Sequence, residues 1–131
     1  MGDPEAEVVL PRVNNDLLEL FGAVAKQKLH RHKPDINLQT VCTVVMTAGG
    51  YPGDYEKGKE IRNLEKVTNS IVFHAGTKLS GEGKVLTNGG RVLAVSSFGD
   101  SKKDALAKTY RNTDLVEFDK KYFRRDIGYD I

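Results

Sequence analysis

Val-Val-Met-Thr-Ala-Gly-Gly-Tyr-Pro-Gly-Asp-Tyr, residues 44–55, is the stretch on which the fold turns. Val44, Val45 and Met46 form a short apolar run of the kind carried by a strand buried on both faces. The run stops abruptly: Gly49, Gly50 and Gly53 allow positive φ or close backbone approach, and Pro52 fixes one φ angle. A turn of this composition exposes backbone N–H groups that can donate to a ligand. Two later stretches repeat the plan of a strand joined to a small-residue turn: Val72-Phe73-His74-Ala75-Gly76-Thr77, and Thr87-Asn88-Gly89-Gly90-Arg91-Val92-Leu93-Ala94-Val95. Everything after residue 55 reads as strands returning to the first turn.

Upstream, residues 16–29 predict a helix. Leu17, Leu20, Phe21 and Val24 recur at helical spacing, Leu18 and Ala25 widen the stripe, Asp16 with Glu19 makes a capping-box start, and Lys26 and Lys28 suit the C-terminal end of the dipole. The stripe is expected to pack into a core. His30, Arg31, His32 and Lys33 follow as a solvated basic linker before Pro34, because a His-x-His pair without further ligands is a poor metal site. The organising strand is expected over 38–47, and Cys42 within it reads as a buried structural thiol, with no neighbouring base or cation to activate it.

Downstream, residues 56–61 are a polar turn leading to a short strand, in which Lys57 and Lys59 serve either phosphate or solubility. Residues 70–73 are a strand ending at His74, which either binds a phosphate or hydroxyl or acts as a structural hydrogen-bonder. A hairpin turns around residues 80–83, and 91–97 form a strand with alternating core-facing residues. Arg91 ranks first among the candidate side chains. Beside donor-rich Asn88, Gly89 and Gly90 it can grip a phosphate in a bidentate way, or it pairs with a carboxylate such as Asp54 or Asp126. A second helix spans 101–113 with Ser101 and Asp104 as its capping box, and 114–118 read as an edge strand. Arg124, Arg125 and Asp126 form either a basic contact patch or an ion-pair knot.

Composition sets bounds. A chain of 131 residues supports one ordinary core, or one domain with a remnant of another. With 39% hydrophobic and 29% charged residues and a net charge of +2, neither a membrane span nor a nucleic-acid surface is indicated. A single cysteine fits a reducing cytoplasm.

The three turn-bearing segments, followed by Phe123-Arg124-Arg125-Asp126-Ile127-Gly128-Tyr129, resemble in order and spacing the C-terminal part of phosphoribosylamine–glycine ligase (glycinamide ribonucleotide synthetase), an ATP-grasp enzyme of de novo purine synthesis. The resemblance covers nearly the whole chain. It implies an α+β fold of short antiparallel strands, a small barrel-sandwich-like C-terminal domain over 36–131, preceded over 1–35 by the last helical piece of the ATP-grasp domain. It implies a ligase that joins glycine to 5-phosphoribosylamine through a glycyl phosphate, using ATP with magnesium or manganese. Arg91, Asn88, Gly89, Gly90, His74 and Thr77 are then expected to face the substrate ribose phosphate, and Asp3 and Glu5, which in this chain alone read as a solvated N-terminal tail, to border the magnesium and acyl-phosphate site of the full enzyme. Neither a catalytic residue nor a metal ligand is expected in this fragment, which should bind no cofactor and be inactive without the N-terminal and ATP-grasp domains. Met1 reads as the edge of a fragment of a cytoplasmic enzyme. Two other classes remain open: a non-catalytic nucleotide-binding module, and a carrier domain presenting a hairpin lysine, for which residues 81–84 lack the usual flanking residues.

Overall fold

A computed structural model describes Gly2 and residues 4–129; the expectations for Met1 and Asp3 lie outside the described residues. The central strand is β5, Arg91–Gly99, which pairs antiparallel with β1, Thr40–Thr47, on one side and β2, Ile71–His74, on the other. A separate two-stranded hairpin joins β3, Thr77–Leu79, to β4, Val85–Thr87, around residues 80–84, as the glycines there predict. The short antiparallel strands of the expected α+β fold are thus present. No barrel closes among the described residues, because the two sheets remain distinct.

Burial on both faces belongs to β5 rather than to β1. Val92, Leu93, Ala94, Val95, Ser96 and Ser97 are all at most 1% exposed, so the expected alternation along this strand is absent. In β1, by contrast, Cys42, Val44 and Met46 are buried while Thr43, Val45 and Thr47 are half-buried. The physical reason is position: the middle strand is covered above and below, whereas an edge strand shows one face to lighter cover. The inner face carries Met46, Leu93 and Val95 into a core with Ile61, Val116 and Phe118. Cys42 and Val44 meet Ala105 of α3, Lys102–Leu115. Cys42 is buried as expected, and burial pushes its thiol pKa up.

Helix α3 begins where its capping box predicts, with the Ser101 side chain accepting from the Asp104 amide. It runs on through Asp114 to Leu115, so the edge strand expected over 114–118 reduces to one bridge between Glu117 and Arg62. The short strand near Ile61 is likewise only a pair of isolated bridges. Buried polar groups pin the helix to the sheet: Thr109 donates to the Cys42 carbonyl (3.1 Å), and Asn112 Nδ2 donates to the Thr68 carbonyl (2.8 Å) and to Ser70 Oγ (2.6 Å). Lys121 closes the helix C-terminus, its ammonium donating to the carbonyls of Thr113, Asp114 and Val116.

The N-terminal region departs most from expectation. A one-turn helix α1, Ala6–Val9, lies on the outer face of the sheet, where the Glu7 carbonyl accepts from Thr43 Oγ1 (3.3 Å) and Ser96 Oγ (3.0 Å). Helix α2 spans Leu17–Ala25 rather than 16–29: Asp16 caps it through the Glu19 amide, and Gln27, with φ of 55°, ends it before a single 3₁₀ turn at Leu29–Arg31. Its expected core packing holds only in part: Leu17 and Leu20 are half-buried and Ala23 is buried, whereas Leu18, Phe21 and Val24 are 80%, 64% and 55% exposed. Helical periodicity identified the apolar positions, but the described residues leave these three uncovered.

Candidate functional site

Three turns converge at one end of the central strand. Ala48 donates its amide to the Gly90 carbonyl (2.8 Å), which brings the first glycine turn to the third. Gly76 donates to the Arg91 carbonyl (2.8 Å) and Asn88 to the Gly76 carbonyl (2.7 Å), which brings in the second. The approach is possible only without side chains: a Cβ on Gly76 would lie 2.5 Å from the Gly89 Cα. The Tyr51 ring, from the organising turn, lies against Gly90, where a Cβ would meet Cδ2 at 2.0 Å. Residues 49–55 also contain a cis peptide between Tyr51 and Pro52, and Gly50 adopts φ of 98°.

Arg91 is exposed at the start of β5 and opens on a groove of about 350 Å³ beside the outer face of β1. Thr43, Val45, Thr47 and Tyr51 line that groove, together with Tyr122, Phe123, Arg124 and Pro4. The register explains the orientation. β1 and β5 slip by one residue between Met46 and Thr47, so that Thr47 rather than Ala48 stands opposite Arg91, and Thr47 in turn bridges Tyr122. The arrangement is a mostly apolar trough with two guanidinium groups at its rim, suited to holding a small ligand that carries an anionic group.

The remaining expected residues divide. Asn88, Gly89 and Gly90 join the backbone junction beneath Arg91 but do not line the groove. His74 and Thr77 stand elsewhere: His74 pairs across the sheet with Leu93, and its Nδ1 lies 3.0 Å from Thr77 Oγ1, a local contact in which the imidazole is exposed. Glu5 is exposed and precedes α1 without capping it through its side chain. Of the carboxylates considered for Arg91, Asp126 is engaged by Arg124 through two bonds (2.9 and 2.6 Å). Arg125 pairs with Asp114 (2.8 Å), so the basic tail is an ion-pair knot. Tyr51 and Tyr122 were not singled out as site residues. The signal for Tyr51 is an aromatic flanking a glycine turn, which leaves the direction of the ring open, whereas the sequence around Tyr122 carries no such mark.

The turn is fastened by charge. Glu56 accepts from Lys59 (2.6 Å) and Lys120 (2.9 Å), and Lys59 also meets Asp119 (3.1 Å). The hydrogen bonds from Lys59 and Lys120 lower the Glu56 pKa to about 2. Lys59 therefore serves structure here. Among the described residues, no three or more His, Cys, Asp or Glu side chains gather as metal ligands, and no helix is long and apolar enough to cross a membrane. Lys84 at the hairpin is engaged with Glu82 (3.3 Å) and Glu60 (3.9 Å).

A three-stranded sheet backed by one long helix, a small hairpin, and glycine turns meeting beside an arginine-bearing trough define a small α+β module. Residues 41–130 match the family model described as phosphoribosylglycinamide synthetase, C domain, and the chain belongs to that family. A phosphoribosylamine–glycine ligase of Nostoc sp. is 44% identical over 99% of this chain and 31% of its own length. A bifunctional purine biosynthetic protein of Schizosaccharomyces pombe is 43% identical over 98% of this chain and 16% of its own length. The crystal structure of a phosphoribosylamine–glycine ligase from Thermotoga maritima superposes with a TM-score of 0.75 at 37% identity, covering 96% of this chain and 31% of that one. The chain thus spans about a third or less of each of these relatives.

Proposed function

We propose that this chain serves as the C-terminal module of an ATP-dependent ligase that joins glycine to 5-phosphoribosylamine, giving glycinamide ribonucleotide, ADP and phosphate in the purine pathway of the cytoplasm. Residues 1–35 are the closing piece of the ATP-grasp domain and 36–131 the C domain, a division supported by the start of the family match at residue 41. The chemistry passes through a glycyl phosphate that the amine attacks. ATP and magnesium or manganese supply the activation and charge neutralisation in the complete enzyme, where Asp3 and Glu5 border the metal and acyl-phosphate site.

The contribution of this chain is to form one wall of the site. The observation that carries the reading is Arg91 opening on a trough beside Tyr51 and Thr47, where a guanidinium can take two oxygens of the ribose phosphate. Asn88, Gly89 and Gly90 hold the Arg91 backbone at that rim, and the contact between His74 and Thr77 braces the neighbouring corner. Glycine-dependent ADP release tests the assignment: none from this chain alone, and release on mixing with the remainder of the ligase. Arg91→Ala in the complete enzyme is expected to raise the apparent KM for phosphoribosylamine about 10- to 100-fold with a smaller change in kcat, the loss of one charge-assisted pair. An unchanged KM removes Arg91 from the phosphate site.

A further inference from the structure

The tail after residue 121 joins β1 to α3 beside the trough. Tyr122 exchanges two backbone hydrogen bonds with Thr47 of β1 (2.8 and 3.0 Å), and Phe123 and Ile127 pack with Tyr110 of α3 against Cys42, Val44 and Ala105. The Tyr110 hydroxyl bridges the loop that follows: it donates to the Arg124 carbonyl (3.2 Å) and accepts from the Ile127 amide (3.0 Å). Inside that bridge, Asp126 accepts two hydrogen bonds from the Arg124 guanidinium (2.9 and 2.6 Å). Phe123, Arg124 and Ile127 line the trough with Arg91, whereas Tyr110 and Asp126 do not. A phenol on a helix thus fixes the backbone of a trough residue, and a carboxylate fixes its side chain.

We infer that Tyr110 and Asp126 are positioning residues for the ligand of the trough, and that the Arg124 guanidinium they hold acts with Arg91 on the anionic group of that ligand. The inference rests on the reading of the trough as the sugar-phosphate site. The two neighbouring arginines are turned to different tasks. Arg125 anchors the loop, pairing with Asp114 of α3 (2.8 Å) and lying over the Phe123 ring (4.6 Å), while Arg124 is aimed at the trough. An ion pair as exposed as that of Arg124 with Asp126, whose side chains are 65% and 59% accessible, adds little to stability. Its two-point geometry matters for direction: a guanidinium already held in one orientation loses less side-chain freedom when an anion arrives.

Steady-state kinetics of the complete enzyme test this. Tyr110→Phe keeps the ring and deletes the bridge; it is expected to raise the apparent KM for phosphoribosylamine about 3- to 10-fold, with kcat and the KM for glycine and ATP within about 2-fold. Asp126→Asn is expected to give the same split, and an unchanged KM in that variant overturns the inference even where the tyrosine variant does not fold. Ser70→Ala deletes a hydroxyl to which Asn112 of the same helix donates (2.6 Å), away from the trough, and should leave every KM unchanged. A rise there equal to that of Tyr110→Phe would reveal general loosening and overturn the inference. Amide hydrogen exchange gives a reading apart from activity: in Tyr110→Phe residues 124–127 are expected to exchange about 10-fold faster, with residues 91–99 unchanged. Unaltered exchange over 124–127 would show that the bridge holds nothing. A raised KM in Arg91→Ala with none in Tyr110→Phe or Asp126→Asn removes this inference alone, whereas an unchanged KM in all three removes the sugar-phosphate reading with it.

Discussion

At the residue scale, charge fastens the glycine turn. Glu56 joins the glycine turn to Lys120 and Lys59, and those donors hold its pKa at about 2. Because the folded pKa lies below that of an ordinary glutamate, the tie is fully present above about pH 4.5 and is lost as the pH falls through about 2. Carbon-detected NMR titration of the Glu56 carboxyl should therefore show no protonation at pH 4, and Lys120→Met should move its midpoint upward. Sequence could not supply this. Lys57 and Lys59 were equally suited to phosphate until the backbone set Lys59 between Glu56 and Asp119.

At the scale of single elements, the two longer helices are built by the same local chemistry and put to different uses. Ser101 caps α3 and Asp16 caps α2, each accepting from the amide three residues on. Ser101→Ala should cost the isolated chain about 1 kcal/mol in chemical denaturation, since α3 covers the inner face of the sheet. Asp16→Ala should leave that midpoint nearly unchanged, since Leu18, Phe21 and Val24 of α2 face solvent and the helix adds little to the core. Capping residues and helical spacing made both helices legible from sequence, because those signals are local. What each helix touches was not legible: apolar periodicity states that a face will be covered and is silent on whether the cover lies in the same chain. The doubly buried strand was misplaced for a related reason. Val44, Val45 and Met46 and the run from Val92 to Val95 are both apolar, and only the pairing order, β1 to β5 to β2, decides which is central.

At the scale of the whole molecule, the sheet, α3 and the turns form one core, with α1 as its outer cover and α2 standing apart. Removing residues 1–39 should leave a cooperatively melting domain, weakened by about 1–3 kcal/mol as Thr43 and Ser96 lose the Glu7 carbonyl and the outer face of the sheet is uncovered. A domain that no longer melts cooperatively would place the boundary upstream of α1. The order of the turn-bearing segments in the sequence, which carried the family resemblance, corresponds to their meeting in space. His74 does not line the trough on which Arg91 opens, because adjacency of turns does not fix which side chains line one groove.

The contact between Gly76 and Gly89 has a mechanical consequence. Two corners that touch through backbone alone, with hydrogen bonds running from Gly76 to Arg91 and from Asn88 to Gly76, have no side chain between them to act as a hinge. They move as one rigid block, and Arg91 moves with them. A ligand reaching the trough meets a fixed wall on this side, so any opening and closing around it has to come from displacement of the entire module or from the surface that faces it.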